Sequence, residues 1–526
     1  MNSFNFERMR SHQIKRRQVL IGASVLTGLA ASNHWHKRVV AQPVFSAYPF
    51  SLGVASGDPL PDSVVLWTRL APDPLNGGGM PSANVPVQWQ IAADENMRQV
   101  VYRGTEMAVP KFGHSVHVEV GGLQPARWYW YQFKVGNEVS QIGRTRTTPK
   151  KRDRVKRFRF AFASCQNWEE GFYTAYKYMA KDELDLVVHL GDYIYEGPPS
   201  ATAVRPHEGT SEPVTLFEYR NRYAQYKGDS NLQAAHAAFP WIVTWDDHEV
   251  DNNYANDIPQ DPEQQSRKNF LARRVAAYQA YYEHMPLRRF SIPTGANMQL
   301  YRRLSFGSLV EFNVLDTRQY RTDQPCNDGT KPRCPSVLAP NATLTGAEQE
   351  RWLFDGLKRS RARWNVLAQQ VLMSQVDRTR GPEQTFSMDM WAGYVAQRNR
   401  ILRFLQESKI SNPIVLTGDI HSNWVSDLKT DFDNPESPVV GTEFVGTSIS
   451  SGGDGSDTNP RFEPYLPENP WIKFYNSQRG YVRCDITPER WQSDYRVMAA
   501  VTTPDAPMST RASFVVEDGQ PGAQQV

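Results

Sequence analysis

Leu416-Thr417-Gly418-Asp419-Ile420-His421 closes an apolar run on a carboxylate and an imidazole, and four other segments end in the same manner. Residues 158–165 read Phe-Arg-Phe-Ala-Phe-Ala-Ser-Cys, and 184–192 read Leu-Asp-Leu-Val-Val-His-Leu-Gly-Asp. Residues 240–248 read Pro-Trp-Ile-Val-Thr-Trp-Asp-Asp-His, and 364–370 read Trp-Asn-Val-Leu-Ala-Gln-Gln. Short runs rich in Val, Ile, Leu and Phe predict core strands. In layered α/β proteins, ligands gather at the carboxyl ends of such strands. One site is therefore expected to collect Cys165, Asp192, Asp246, Asp247, His248, Gln370, Asp419 and His421.

A chain of 526 residues exceeds what one compact core usually takes, so at least two domains are expected. A net charge of only +3, with acids and bases interspersed, excludes a nucleic-acid stripe. At the amino end, Lys15-Arg16-Arg17 precedes an apolar run to about Ala31, and Val39-Val40-Ala41 offers a small-residue cleavage site. That order predicts a twin-arginine (Tat) signal peptide over 1–41, read by the Tat export machinery, on a protein exported folded and secreted or periplasmic. No later stretch predicts a transmembrane segment, and the protein is expected to be a monomer. In an oxidising compartment Cys326 and Cys334, close together in a Pro/Gly/Asn-rich segment, are expected to pair. Cys484 reads as a buried small hydrophobe, whereas Cys165 ends a strand.

Residues 45–148 are strand-rich, with alternating runs at 63–70, 85–91, 114–120 and 128–135 and turn signals between them. The pattern predicts a fibronectin III/Ig-like β-sandwich whose tryptophans serve its core. Lys150-Lys151-Arg152-Asp153-Arg154 reads as a solvated linker. From 152 to 516, strands alternate with helical periodicity at 173–180, 217–226, 270–284, 348–359 and 396–407, predicting a large α/β catalytic domain. Two long loops, 197–213 and 452–470, are expected to cover the site. Residues 517–526 are polar and predict a disordered tail.

The donor types define the chemistry. A tyrosine ligand must lose a proton of pKa about 10, which only a strongly Lewis-acidic ion makes favourable near neutral pH. Cys165 with Tyr195 therefore points to Fe³⁺ rather than Zn²⁺. Asp192 can bridge to a second ion, for which Asp246 or Asp247, Asp419 and the amides of Asn252 and Gln370 offer oxygens, a set that suits Ca²⁺ or Mg²⁺. Two such ions would clamp the attacking and leaving oxygens of phosphoryl transfer. His248 would protonate the leaving alkoxide or hold the phosphoryl oxygen, and Arg273 and Arg274 are candidates to bind substrate phosphate. Each of these residues alone reads as a turn or core residue; the conjunction of strand ends carries the site. Serines 374, 448, 450 and 451 suggest no serine hydrolase, because no Gly-x-Ser-x-Gly elbow accompanies them.

At these residues the sequence resembles the calcineurin-like metallophosphoesterases, and more closely the alkaline phosphatase D (PhoD-like) family. The matching stretches are Phe162-Ala163-Ser164-Cys165-Gln166, His189-Leu190-Gly191-Asp192-Tyr193-Ile194-Tyr195-Glu196, Trp245-Asp246-Asp247-His248-Glu249-Val250-Asp251-Asn252-Asn253 and Leu416-Thr417-Gly418-Asp419-Ile420-His421-Ser422. Residues 443–451, the leader and the opening 51–59 fit as well. The resemblance implies a four-layer αββα domain behind the sandwich. It implies Fe³⁺ held by Cys165, Asp192, Tyr195 and His421, and Ca²⁺ held by Asp192, Asn252 and Asp419 with Asp246 or Asp247 beside them. It also implies hydrolysis of phosphate mono- and diesters outside the cytoplasm by a metal-bound hydroxide, with His248 and Asp192 catalytic, for phosphate scavenging. Where metallophosphatases begin with Asp-x-His this chain has Ser-Cys-Gln, and where purple acid phosphatases have Gly-His-x-His it has Gly-Asp-x-His. Both departures remove histidine and favour calcium over zinc. Two other functions remain: a phospholipase D-like phosphodiesterase acting on lipid or teichoic acid, and an inactive surface-binding protein.

Overall fold

Alternation along Phe158–Ala163 shows how the layers assemble. Phe158, Phe160 and Phe162 pack with Phe312, Val366, Ile414 and Leu416, which belong to a second sheet. Ala161 and Ala163 turn the other way, into a cluster with Tyr176, Tyr223 and Tyr278 from helices. A third cluster lies on the far side of the second sheet, where Leu367 and Val415 meet Leu353, Leu357, Ile401 and Leu402. The computed structural model describes residues 45–526 apart from 459 and 461, so the expected leader lies outside the described residues.

The first sheet has ten strands and the second seven. At the centre of the first, Phe158–Ala163, Leu186–His189 and Pro240–Val243 run parallel, with Ala163 opposite His189 and His189 opposite Val243. In the second, Val310–Val314, Trp364–Ala368, Pro413–Thr417 and Val439–Val445 are also parallel. Every residue of Leu186–His189 and of Pro413–Thr417 is buried, as parallel strands covered on both faces require. A bridge between Ser164 and Ser448 ties the sheets together where their carboxyl ends meet. The expected helices form as Thr174–Met179, Leu216–Lys227, Arg267–His284, Gly346–Arg359 and Val395–Glu407. A further helix, Ser230–Ala238, was not expected; its Asp229 carboxylate caps the first turn by accepting from Asn231 N and Leu232 N.

The amino-terminal strands form as read, but they do not build a separate body. Val54–Gly57 pairs in parallel with Pro240–Val243, and Ser63–Arg69 and Ser115–Gly121 follow it in the ten-stranded sheet. A five-stranded sheet containing Val85–Ala92 and Trp128–Val135 packs on these strands through Val64, Leu66, Val87, Ile91, Tyr129 and Tyr131. One wall of the sandwich is thus the continuation of the large sheet. The segment expected as a solvated linker is a turn pinned at both sides: Lys150 N donates to Asp153 Oδ2, and Lys151 Nζ lies 2.7 Å from Glu311.

The tail corrects the expectation of disorder. Gln524–Gln525 pairs with Met508–Glu517. Ala523 is buried, its carbonyl accepting from Lys473 Nζ and its N–H reaching Asp427. A polar composition concealed this docking because the partners lie far away in sequence. Cys326 and Cys334 are disulfide-bonded, and Cys484 is a buried free thiol. No helix among the described residues is long and apolar enough to cross a membrane.

Candidate metal centre

The parallel strands of both sheets deliver their carboxyl ends to one place. Four donors sit on sharp turns there, with positive φ at Cys165 (57°), Asp192 (54°), Asp419 (64°) and His421 (54°). Such backbone costs an L-residue about 1–2 kcal/mol, and non-glycine residues held this way gather at functional sites. Gly191, before Asp192, has φ 115°, and a Cβ there would lie 2.5 Å from Asp246 N. Only glycine lets these two turns approach so closely.

The structure brings Cys165, Asp192 and His421 together, each offering one ligand atom within 4.8 Å of the others. Tyr195 joins them: its hydroxyl donates to Asp192 Oδ2 at 3.1 Å and lies 2.9 Å from His421 Nε2. Beside this set, Asp192, Asp247 and His248 form a second group, and Asp246, Asp247 and Asp419 a third. Asp192 therefore faces both halves of the site. The Asn252 N–H donates to Glu196 at 2.7 Å.

Three expectations are corrected. The Gln370 amide is consumed by the scaffold, with Oε1 accepting from Thr317 N and Oγ1 while Nε2 donates to Leu315 O and Thr244 Oγ1. Arg273 is locked onto Tyr219, Asp251 and Glu212. Arg274 donates to Asn256 and Gln319. Neither guanidinium touches the converging carboxylates. The arginine that does is Arg318, fully buried, with Nε 2.5 Å from Asp246, Nη1 2.8 Å from Asp389, and Nη2 3.4 Å from Asp247 and 3.5 Å from Asp419. A signal existed: Leu315-Asp316-Thr317-Arg318 directly follows the strand Val310–Val314, as the other donors follow theirs.

Supporting residues also went unread. Glu249 is fully buried and accepts N–H bonds from Asp192, Tyr193 and Asp246, clamping two ligand turns together. Glu196 Oε2 lies 2.7 Å from His248 Nδ1. Ser451 Oγ lies 2.7 Å from Cys165 O and 2.8 Å from Tyr195 Oη. Tyr226 Oη, on the helix Leu216–Lys227, accepts from Tyr195 N at 3.0 Å.

Electrostatics test the site's fitness for cations. Burial, then the Asp192 charge, pushes the Cys165 thiol up, and burial with Asp192 and Cys165 does the same to the Tyr195 phenol. Burial raises Asp192 and Asp419 well above the usual carboxylate range and brings Asp246 to about 7 despite Arg318. Burial also acts upward on Asp247, but Arg318 and His248 outweigh it and hold that carboxyl low. For His248, burial opposes the charge, yet Glu196, Asp247 and Asp192 together raise it well above the ordinary imidazole value. His421 is brought down to about 3 by burial, Arg479 and His248, leaving a neutral ring able to ligate. Asp192 Oδ1 and Asp246 Oδ2 are buried without a hydrogen-bond partner. Anionic donors this desolvated need counter-charge beyond Arg318, and bound cations supply it and invert the local pKa logic. The donor set therefore fits metal ions.

Comparison with known proteins agrees with this geometry. Residues 160–495 match the family model described as PhoD-like phosphatase, and residues 33–149 match PhoD-like phosphatase, N-terminal domain. The chain is 54% identical over 530 residues to alkaline phosphatase D of Bacillus subtilis (strain 168), covering 99% of this chain and 90% of the relative. A solved structure titled "Structure of PhoD" superposes with a TM-score of 0.90 at 57% identity, covering 92% of this chain and 93% of that one. By both sequence and structure, the chain belongs to the PhoD-like phosphatase family.

Proposed function

We propose that the protein is a secreted, metal-dependent alkaline phosphatase and phosphodiesterase that releases phosphate from organic mono- and diesters. The observation that carries this reading is the convergence of Cys165, Asp192, Tyr195 and His421 beside Asp246, Asp247 and Asp419. The thiol–phenol–imidazole set suits Fe³⁺, and the oxygen set with Asn252 suits Ca²⁺, Asp192 serving both. When bound, such ions supply the Lewis acidity that makes water nucleophilic near neutral pH and polarises phosphoryl oxygens. His248, held protonated by Glu196 at Nδ1, has its other nitrogen to donate to the leaving alkoxide. Arg318 fixes the carboxylates of Asp246 and Asp247 and offsets part of their charge. The two sheets and the three hydrophobic clusters support reading the large domain as four αββα layers. The similarity to alkaline phosphatase D supports the ester chemistry.

The test is release of p-nitrophenol from p-nitrophenyl phosphate and from the bis-p-nitrophenyl diester at alkaline pH. Treatment with EGTA is expected to abolish both activities, and Ca²⁺ to restore them. Activity that survives EGTA unchanged refutes the calcium assignment.

A further inference from the structure

The serine-rich stretch Gly446-Thr447-Ser448-Ile449-Ser450-Ser451 follows the strand Val439–Val445, and no serine-hydrolase chemistry absorbs it. The fold lays it along the Cys165 turn. Ser448 bridges Ser164, and Ile449 N donates to Ser164 O at 3.0 Å. Two of its hydroxyls are spent on main chain: Ser448 Oγ donates to Ser451 O at 2.6 Å, and Ser450 Oγ to Asn167 O at 2.7 Å. Ser451 differs. It is fully buried, and its Oγ accepts from Asn167 N at 3.0 Å while meeting two acceptors, Cys165 O at 2.7 Å and Tyr195 Oη at 2.8 Å. A hydroxyl carries one proton, so it serves one of those two oxygens at a time.

Two further contacts decide which. Cys165 O is also approached by main-chain donors, Ser451 N at 3.3 Å and Ser450 N at 3.5 Å, so the carbonyl keeps partners when the hydroxyl turns away. Tyr195 Oη has no such reserve. Its other neighbours are Asp192 Oδ2 at 3.1 Å and His421 Nε2 at 2.9 Å, both atoms of the candidate ligand set. When those atoms ligate, neither donates to the phenolate that Tyr195 presents as a ligand. Ser451 Oγ is then the side-chain donor left within reach of it among the described residues. A hydrogen bond to an ionised oxygen is roughly twice as strong as one between neutral groups, and the Asn167 N–H polarises the hydroxyl in the same sense. We propose that Ser451 is a positioning residue for the metal centre: when Tyr195 ligates, the Ser451 proton turns from Cys165 O to the Tyr195 oxygen and draws electron density from it. Hydrogen bonds of this kind set a ligand's donor strength and the potential of the metal it holds. A phenolate that gives less leaves Fe³⁺ more Lewis-acidic and easier to reduce. The inference rests on the reading above for Tyr195 as an iron ligand.

The experiment reads the tyrosinate-to-iron charge-transfer band of the iron-loaded full chain by absorption, and its phenolate modes by resonance Raman scattering, which separates them from those of the Cys165 thiolate. Ser451→Ala removes one oxygen and adds no bulk. It is expected to move the band to longer wavelength and to lower the Fe³⁺/Fe²⁺ potential in a redox titration. Ser450→Ala takes a hydroxyl from the same turn without touching Tyr195, and is expected to leave band and potential in place. Exchange of the parent into D₂O is expected to shift the phenolate C–O stretch, and exchange of Ser451→Ala to leave it unmoved. An unmoved band in Ser451→Ala overturns the proposal, as do equal shifts in the two variants. If Ser451→Ala fails to fold or to take up iron, the parent decides alone, and a C–O stretch indifferent to D₂O overturns the proposal. A parent that takes up iron and shows no phenolate mode refutes Tyr195 as a ligand, and the role of Ser451 with it. A phenolate mode that is present but indifferent to Ser451 refutes the role of Ser451 and leaves the ligand set standing.

Discussion

Asp192 is the residue on which the site turns. Its Oδ2 accepts from Tyr195, its Oδ1 is free of partners, and its backbone is held by Glu249. Asp192→Ala is expected to abolish hydrolysis, while Cys165→Ala is expected to lower iron content and activity in parallel, read by metal analysis alongside p-nitrophenol release. Retention of both iron and activity in Cys165→Ala would remove the thiol from the ligand set. These residues were legible because each ends an apolar run, so a linear pattern reported a three-dimensional convergence. Arg273 and Arg274 were misread because adjacent arginines look like a phosphate clamp from sequence. Their helix instead turns one onto Asp251 and Glu212 and the other onto Asn256 and Gln319. Glu249 stood in plain view beside His248. Its role depends on N–H groups of the Asp192 turn more than fifty residues earlier, which no local pattern reveals.

The helix Leu216–Lys227 shows what an element contributes. A reciprocal Thr215–Glu218 capping box starts it, Tyr226 holds the Tyr195 backbone, and Lys227 closes it against the Trp67 ring, 4.2 Å from the centroid. Burial pushes the Lys227 amine down to about 7, against about 10.4 in an unfolded chain. Between those values the unfolded state binds the extra proton, so stability rises with pH there, and the penalty is fully present below about 7. Lys227→Met is expected to melt above the parent at pH 7, with the difference shrinking toward pH 10, as followed by thermal denaturation. A difference independent of pH would show that packing, not ionisation, sets the effect. Helically spaced aromatic residues made this element readable in the sequence, whereas Ser230–Ala238 is short and alanine-rich, burying only Leu232, Ala235 and His236, and passed unread. Strand existence was equally legible. Strand pairing was not, because Val54–Gly57 meets Pro240–Val243 only through contacts nearly two hundred residues apart.

At the scale of the molecule, the shared ten-stranded sheet decides how the protein comes apart. The described residues form one compact body, and the hydrogen bonds from Val54–Gly57 to Pro240–Val243 cross the boundary expected from sequence. Calorimetry of the protein is expected to give one unfolding transition, not two. Two separated peaks would show that the amino-terminal strands melt alone. The same pairing bears on grafting. A segment cut at the linker would carry away a bare strand edge and leave another behind, each a template for aggregation. The amino-terminal strands are therefore not portable: grafting them onto another enzyme would have to supply a sheet for them to finish.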